Sequence, residues 1–304
     1  MADVERLEIA TSSIRALDYR YGGGRCRTAV ATVVAQAEPL LGAAASDPVL
    51  ARLCTALADL HNLAGWVCFD TGSTTVARTH FNRALTLAAQ AGNDDLITNI
   101  CYRAGRMHLH RDAPRDALGV FRLGQHVAHA CGSALASAIL HVNQAWAHAK
   151  LGLADQAHAL LGMAEDAFAR TNSHAAPPWA AFFSPVDLTA MAGTVHTDLA
   201  RVVDPSHAVT AIPLLESSID GYGPDMARSR AFNLISLAVN HVLDGDLDHA
   251  ATVGARAVAA CGDLTSTRVR DRLRPLRELV ETRKSDPNAR ELADRIDELP
   301  SMGE

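Results

Sequence analysis

The sequence predicts an all-α fold built from stacked helical hairpins, and three observations carry this prediction. The 304-residue chain is 48% hydrophobic but only 5% aromatic, a composition that favours close-packed helices over a β-sandwich. Apolar residues recur at helical spacing along most of the chain. One hairpin outline also repeats in register, with Ala77, Ala117 and Ala157 at equivalent places that are 40 residues apart.

The repeat continues less regularly towards the C-terminus, where Ala208 and Ala250 take the equivalent places after intervals of 51 and 42 residues. The longer interval contains "TNSHAAPPWAAFFSPVD", an insertion at residues 171–187 with three prolines and three large aromatics. A single hairpin cannot bury its apolar face alone, so consecutive hairpins stack. We therefore expect a tetratricopeptide-repeat-like, right-handed superhelical solenoid of about five hairpins. The alternative is a generic helical bundle.

The elements follow in order from this pattern. Helices are expected at residues 3–20 and 25–42, and the glycines of "YGGGR" end the first of them. The first repeat opens with a helix at residues 48–71, and a charged amphipathic helix at 265–284 caps the exposed end. The predicted regions are N-terminal helices (1–47), repeats one to three (48–170), the insertion (171–187), repeats four and five (188–264), and a C-terminal capping helix with a tail (265–304).

Charge and composition exclude several classes of protein. The formal net charge is −6, whereas proteins that bind nucleic acid over a broad surface carry a basic excess. The six cysteines form no C-x-x-C pair, which favours a reducing compartment. The opening "MADVERLEIA" lacks the apolar segment of a signal peptide, and no apolar run is long enough to span a bilayer. We expect a cytoplasmic protein without membrane contact.

Three segments together resemble the C-terminal tetratricopeptide-repeat region of actinobacterial Xre-type transcriptional regulators. They are "YGGGR", "LAGWVCFDTGSTTVARTHFNRALTLAAQAGN" and "PPWAAFFSPVDLTAMAGTVHTDLAR". The resemblance covers about residues 10–285. It implies a sensing, dimerising or interaction domain in transcriptional or biosynthetic regulation.

The sequence departs from these regulators at its start, because no DNA-binding helix-turn-helix precedes residue 10. Two interpretations follow, a truncated regulator or a stand-alone repeat protein. In either case this chain is not expected to bind nucleic acid directly. Homodimerisation through an end helix or the insertion is a further expectation.

Motifs for metal binding and catalysis are missing from the sequence. His108 and His110 face opposite sides of a helix; His126 and His129 share a face, but no acidic residue or cysteine completes a ligand set. There is no H-E-x-x-H, no G-x-S-x-G and no phosphate-binding glycine loop. We therefore predict no metal, no cofactor and no catalytic residue.

The inner face of the predicted solenoid is the candidate binding groove. The first helix of each hairpin lines that face, and helical periodicity places a mixture of aromatic, amide and charged side chains there. Such a surface suits a peptide or a polar small molecule. The predicted groove residues are Asn62, Trp66, Asp70, Asn99, Tyr102, Arg106, His110, Asn143, Trp146 and Lys150. The alternative for Trp66 and Trp146 is ordinary packing within the hairpins.

The insertion is the second candidate surface. Trp179, Phe182 and Phe183 could close over the groove as a lid or form an interface with a partner. The alternative is a linker whose aromatics pack into the neighbouring core.

The sequence thus predicts a non-enzymatic sensor or adaptor that binds a peptide, a protein or a small ligand in its groove. The alternative from another class is an enzyme, or an accessory protein of small-molecule biosynthesis, that uses the repeat as a scaffold.

Overall fold

Helices account for all the regular secondary structure in the described part of the chain. The computed structural model describes residues 1–171, 178–180, 182–223, 226–262 and 267–299, and within them it has fourteen α-helices and no strand. Residues 172–177 and 181 of the predicted insertion lie outside the described residues. No helix among those described is long and apolar enough to cross a membrane.

The helices follow one another with short connections. In chain order they are α1 (Ala2–Tyr21), α2 (Arg27–Ala37), α3 (Asp47–Asp70), α4 (Thr74–Gln90), α5 (Asp94–His110), α6 (Pro114–Ala130), α7 (Ala134–Lys150), α8 (Ala154–Ala169), α9 (Pro185–Val202), α10 (His207–Gly221), α11 (Ala227–Asp244), α12 (Leu247–Gly262), α13 (Thr267–Glu281) and α14 (Pro287–Asp297). Sequence neighbours pack in pairs, α3 with α4, α5 with α6, α9 with α10 and α11 with α12. The all-α prediction is confirmed at this level.

The chain divides into two compact units. Unit 1 contains residues 1–137 with Pro178 and Trp179, and unit 2 contains residues 138–171 with the described residues from 180 onward. Each unit has its own hydrophobic core. The boundary falls within α7, so the predicted groove residues are divided between the two units.

Several turns between consecutive helices share a glycine with a positive φ angle. The tight turn between α3 and α4 places Gly72 at φ 83°, and the turn between α7 and α8 places Gly152 at φ 72°. This left-handed conformation is strained for residues with a side chain. The glycines that the sequence pattern identified as turn residues therefore stop one helix and allow the next to reverse.

Small residues bring the paired helices close together. The predicted key alanines Ala77, Ala117 and Ala157 are each completely buried. In the hairpin of α5 and α6, Gly105 leaves the space that the Phe121 ring fills: a Cβ at Gly105 would lie 2.2 Å from Phe121 Cε1. The small residue and the large residue thus fill one space between the helices of a hairpin.

The N-terminal region differs from the prediction in one place. The second helix, expected over residues 25–42, ends at Ala37 and continues as a 3₁₀ helix from Glu38 to Gly42. Pro39 explains the change, because it has no N–H to donate and its ring clashes with the carbonyl four residues earlier. The apolar pattern continues through this break, so periodicity alone could not locate it.

The glycine-rich turn is fixed by a distant carboxylate. Gly22 ends α1 at φ 85°, as predicted, and the backbone N–H of Gly23 donates to Asp70 Oδ2 at 2.9 Å. A Cβ at Gly23 would lie 3.0 Å from the Asp70 Cβ, so a larger residue there would push the two segments apart. Asp70, predicted to line the groove, is completely buried and ties α3 to this turn.

The C-terminal region contains the predicted capping helix and one more. The capping helix is α13, and the tail forms one further short helix, α14. The Asp286 side chain accepts from the backbone N–H groups of Asn288 and Ala289, which satisfies two of the four free amides at the start of a helix. The end of the insertion lies earlier than expected, because α9 begins at Pro185 behind a capping box formed by Ser184 and Asp187.

Candidate ligand site

A cluster of aromatic and cationic side chains in unit 1 contains half of the predicted groove residues. We call it the unit 1 cluster, and it consists of Asn62, Trp66, Phe69, Tyr102, Arg103, Arg106, His110 and Trp179. Six of these eight residues were predicted for the groove or the lid from the sequence. Phe69 and Arg103 were not.

Helical geometry explains why these residues come together. Asn62 and Trp66 are one turn apart on α3, and Tyr102, Arg106 and His110 follow at intervals of four residues along α5. Residues four apart lie on the same face of a helix. Because α3 packs against α5, the two faces form one surface.

Ring contacts connect the two helices. The Arg103 guanidinium carbon lies 5.5 Å from the centroid of the Trp66 ring, within the range of a cation–π interaction. The Phe69 ring lies 5.7 Å from Trp66 and 5.6 Å from His110, measured between centroids. Trp66 is only partly buried and packs on the unit 1 core, so one side of the ring supports the fold and the rest borders the surface.

Trp179 extends the cluster from the predicted lid. Its indole stacks on the Tyr102 ring with centroids 6.1 Å apart and planes inclined by 26°. This arrangement is favourable for two aromatic rings. The contact joins a predicted groove residue to a predicted lid residue within unit 1.

The side-chain amide of Asn62 and the indole N–H of Trp179 have no hydrogen-bond partner among the described residues. Asn62 is completely buried, yet neither atom of its side-chain amide is bonded, and the Trp179 indole N–H is also buried and unbonded. Leaving a buried polar group unsatisfied costs about 1–3 kcal/mol. A bound molecule that offers a carbonyl or an anionic oxygen to Trp179, and a polar group to Asn62, would recover that free energy.

The remaining predicted groove residue of unit 1 is Asn99. It is 3% exposed, so like Asn62 and Asp70 it is buried and does not line an open surface. Asn99 and Asp70 therefore depart from the prediction for the same reason: α3 and α5 are packed on more than one side, which widens their buried face.

Unit 2 contains the other three predicted groove residues. Asn143 is 1% exposed and its side chain donates to the backbone oxygen of Ile139 at 2.7 Å. Lys150 ends α7 and is half-buried. Trp146 is 2% exposed and its indole N–H donates to Asp198 Oδ2 at 2.6 Å. The packing alternative considered for Trp146 therefore describes it better than an open binding surface.

An arginine of α13 packs against Trp146 in unit 2. The Arg272 guanidinium of α13 lies 4.6 Å from the Trp146 ring and 5.3 Å from the Phe232 ring. On the other side, Asp198 also accepts from Arg201 at 2.8 Å. The aromatic and charged groups around Trp146 are thus engaged by the protein itself, which favours unit 1 as the place for a ligand.

The phenylalanines of the insertion pack within unit 2. Phe183 is 7% exposed and makes edge contacts with Phe168 and Phe182 at 6.0 and 6.2 Å between centroids. Of the three predicted lid residues, Phe183 is a core residue, Phe182 lies beside it, and Trp179 stacks on Tyr102 of the unit 1 cluster.

A hydrogen-bonded chain of titratable groups lies elsewhere in unit 1. Arg83 holds Glu38 with two bonds of 2.9 and 2.8 Å, His61 Nε2 lies 2.7 Å from Glu38 Oε1, and His61 Nδ1 lies 2.8 Å from His80 Nδ1. The hydrogen bond from Arg83 lowers the pKa of Glu38 to about 2. Burial lowers the pKa of His61 and of His80, so both imidazoles are neutral at pH 7.

Sequence reasoning missed Arg103 in the unit 1 cluster and Arg272 beside Trp146 in unit 2. Arg103 follows the predicted Tyr102 but was not among the predicted groove residues, and the arginines of α13 were predicted only as part of a charged capping helix. Nothing in the local sequence indicates that Arg272 meets Trp146, which is 126 residues earlier. Only tertiary packing brings them together.

Comparison with known proteins adds no family assignment, because the chain matches no protein-family model and no curated protein.

Proposed function

We propose that this chain is a non-enzymatic binding protein, a sensor or adaptor whose ligand site is the unit 1 cluster. The observation that carries the proposal is the stacking of Trp179 on Tyr102, with the indole N–H left unbonded. Aromatic rings beside a few well-placed polar groups are typical of ligand sites. The fold supplies the rigid helices that hold them.

The chemistry of the cluster favours one class of ligand. Arg103 and Arg106 bring positive charge, Trp66 and Tyr102 offer flat apolar surface, and the Trp179 N–H offers a donor. A peptide with a free carboxylate, or a small anion that carries a planar group, would use all three features. Such a ligand would also supply a polar group for the Asn62 amide.

The repeat architecture and the regulatory role of the chain are part of the same proposal. Paired helices support a tetratricopeptide-like solenoid, and the resemblance to Xre-type regulators supports a role in transcriptional or biosynthetic regulation in the cytoplasm. The chain would act through its ligand or a protein partner, with homodimerisation as one means. The acidic net charge of −6 supports the absence of direct DNA binding from this role.

Peptide binding tests the proposal directly. The fluorescently labelled chain is applied to an array of random hexapeptides with free C-termini and to a second array whose C-termini are amidated. We expect binders that prefer the free carboxylate. Removing a central aromatic or cationic contact weakens binding by about tenfold or more, so Arg106→Ala and Trp179→Ala should each reduce the affinity for those peptides to that extent.

Two control variants match these changes on an exposed surface of unit 1. Arg122 and Leu123 are exposed on α6, so Arg122→Ala and Leu123→Ala remove a cation and an apolar side chain outside the cluster. Both should bind like the unaltered chain. Equal affinity for all four variants, with all four folded by circular dichroism, would refute the unit 1 cluster as the ligand site.

A further inference from the structure

Three histidines of unit 2 come together although they are far apart in the sequence. They are His158, His196 and His207, and one ring nitrogen of each lies within 4.8 Å of the others. Ring centroids are separated by 5.4, 5.5 and 5.6 Å. The three imidazoles therefore form a nearly equilateral triangle.

This triangle has the size that a metal ion requires. Zinc binds imidazole nitrogen at about 2.0–2.1 Å, so three rings in a tetrahedral site would have centroids about 5.2 Å apart. The observed separations exceed that value by only a few tenths of an ångström. Small rotations of the three side chains would bring the nitrogens from their present positions to the distances that coordination needs.

The three histidines come from three consecutive helices, which hold them in place. His158 lies in the first turns of α8, His196 lies near the end of α9, and His207 opens α10. The start of α8 lies beside the end of α9, where a Cβ at Gly152 would be 3.4 Å from Val202 Cγ1. The helix ends thus hold the imidazoles together without support from a metal-binding sequence motif.

A buried nitrogen of His196 is a further observation at this cluster. His196 Nδ1 is buried and has no hydrogen-bond partner among the described residues. A buried ring nitrogen is normally hydrogen-bonded, and coordination to a metal ion would satisfy it instead.

The surroundings also tolerate a cation. Asp204 lies in the connection before α10, and its backbone oxygen accepts from the His207 N–H at 3.1 Å. Its side chain adds a carboxylate to this connection. No carboxylate or thiolate among the described residues joins the three histidines as a ligand, so the ligands from the protein would all be imidazoles.

We propose that unit 2 binds one late first-row divalent metal ion, with Zn²⁺ preferred, through His158, His196 and His207. Imidazole is a ligand suited to zinc, copper and nickel and a poor one for magnesium or calcium. Three protein ligands leave a fourth position for water or an exogenous ligand, as in zinc sites with an open coordination position. This site is separate from the unit 1 cluster and does not depend on the proposed function.

Metal titration of the full chain tests the proposal. Untagged protein is treated with a chelator, exchanged into buffer and titrated calorimetrically with ZnCl₂, and Co²⁺ absorption spectra report the coordination geometry. We expect one Zn²⁺ per chain and the intense visible bands of four-coordinate Co²⁺. Thermal melting should also move to a higher temperature with Zn²⁺, because the ion binds the folded state.

Variants separate this site from other surface histidines. His158 is exposed, so His158→Ala should leave the fold intact and weaken Zn²⁺ binding by about tenfold or more; His207→Ala should do the same. The matched control is the double variant His126→Ala with His129→Ala, which removes two exposed histidines that share a face of α6. Zinc binding that is absent, or that falls with the control and not with His158→Ala, would overturn the proposal.

Discussion

Trp146 shows how burial decides the role of a single side chain. Its ring lies between the α13 arginine Arg272 and the interior of unit 2, and its N–H is bonded to Asp198. From the sequence alone, the position of Trp146 on α7 is compatible with a groove contact or with packing inside the hairpin. The choice depends on α13, which periodicity cannot position.

Truncating Trp146 should therefore destabilise unit 2. Removing a buried tryptophan costs about 3–5 kcal/mol, because apolar contacts are lost and a cavity remains. We expect Trp146→Ala to lower the free energy of unfolding by that amount in urea denaturation. Trp146→Phe keeps most of the ring and should cost less. An unchanged unfolding curve for Trp146→Ala would show that the residue is not part of the core.

The hydrogen bonds of the histidine pair His61 and His80 in unit 1 depend on pH. With Glu38 ionised, His61 Nε2–H donates to Glu38 and His61 Nδ1 accepts from His80 Nδ1–H. Protonating His61 would put an N–H on its Nδ1, facing the N–H of His80 Nδ1, and this hydrogen bond would be lost. Arg83, which holds Glu38, adds further positive charge nearby and opposes that protonation.

The sign of the pH effect follows from the lowered pKa of His61. In the unfolded chain its pKa is near 6.5, and in the folded protein it is lower, so the unfolded state binds more protons in between. Stability from this group is complete above pH 6.5 and is lost as the pH falls below it. We expect the melting temperature to decrease from about pH 8 to pH 5, and to decrease less in His61→Gln.

The difference between the unaltered chain and His61→Gln in how melting temperature changes with pH isolates the contribution of His61, because the other histidines are present in both proteins. His126→Gln, at an exposed position of α6, serves as the matched control and should keep the pH dependence of the unaltered chain. If His61→Gln showed that same dependence, the hydrogen-bonded chain would not govern the response.

At the scale of elements, the repeat depends on close approach within each hairpin. Gly65 and Gly105 are 40 residues apart, as are the rings that fill the space opposite them, Phe81 and Phe121. A Cβ at Gly65 would lie 2.9 Å from Phe81 Cδ1. The same pair of residue sizes therefore sets the distance between helices in two successive hairpins.

Adding one methyl group at Gly105 should disrupt the second of these hairpins. The contact of 2.2 Å with Phe121 forces the ring out of its place, and overpacking of this kind costs about 1–3 kcal/mol. That cost outweighs the gain of at most about 1 kcal/mol in helix propensity. We expect Gly105→Ala to lower the free energy of unfolding, measured by thermal or urea denaturation.

Gly119 provides the matched control on α6. It is exposed, and an added Cβ would meet nothing within 4 Å, so Gly119→Ala should stabilise the chain slightly through helix propensity. Combining Gly105→Ala with Phe121→Leu should recover part of the loss. Equal effects of the two glycine substitutions would argue against close packing as the basis of the repeat.

The elements also mark how far the sequence could predict the fold. Helix positions followed from apolar periodicity and turn glycines, so α1, α3 and α13 lie close to their predicted ranges. The early end of α2 at Ala37 depended on one proline inside a continuing apolar pattern. Those signals are local, which is why the helices and their pairing could be predicted.

At the scale of the whole molecule, the candidate sites depended on contacts between distant segments. Tyr102 and Arg106 were predictable because they lie on one face of one helix. The stacking of Trp179 on Tyr102 and the triangle of His158, His196 and His207 were not, because each joins residues from separate helices or from the insertion. Helical periodicity gives the direction of a side chain but not the partner that it meets.

Native mass spectrometry of untagged protein from its own cells tests the central claim most directly, namely that the unit 1 cluster holds a ligand. The unaltered chain and Arg122→Ala should carry the same small bound molecule. Tyr102→Ala and Arg106→Ala should lose it while retaining the fold. A chain that carries no added mass, or a bound molecule that remains equally in all four proteins, would contradict the account.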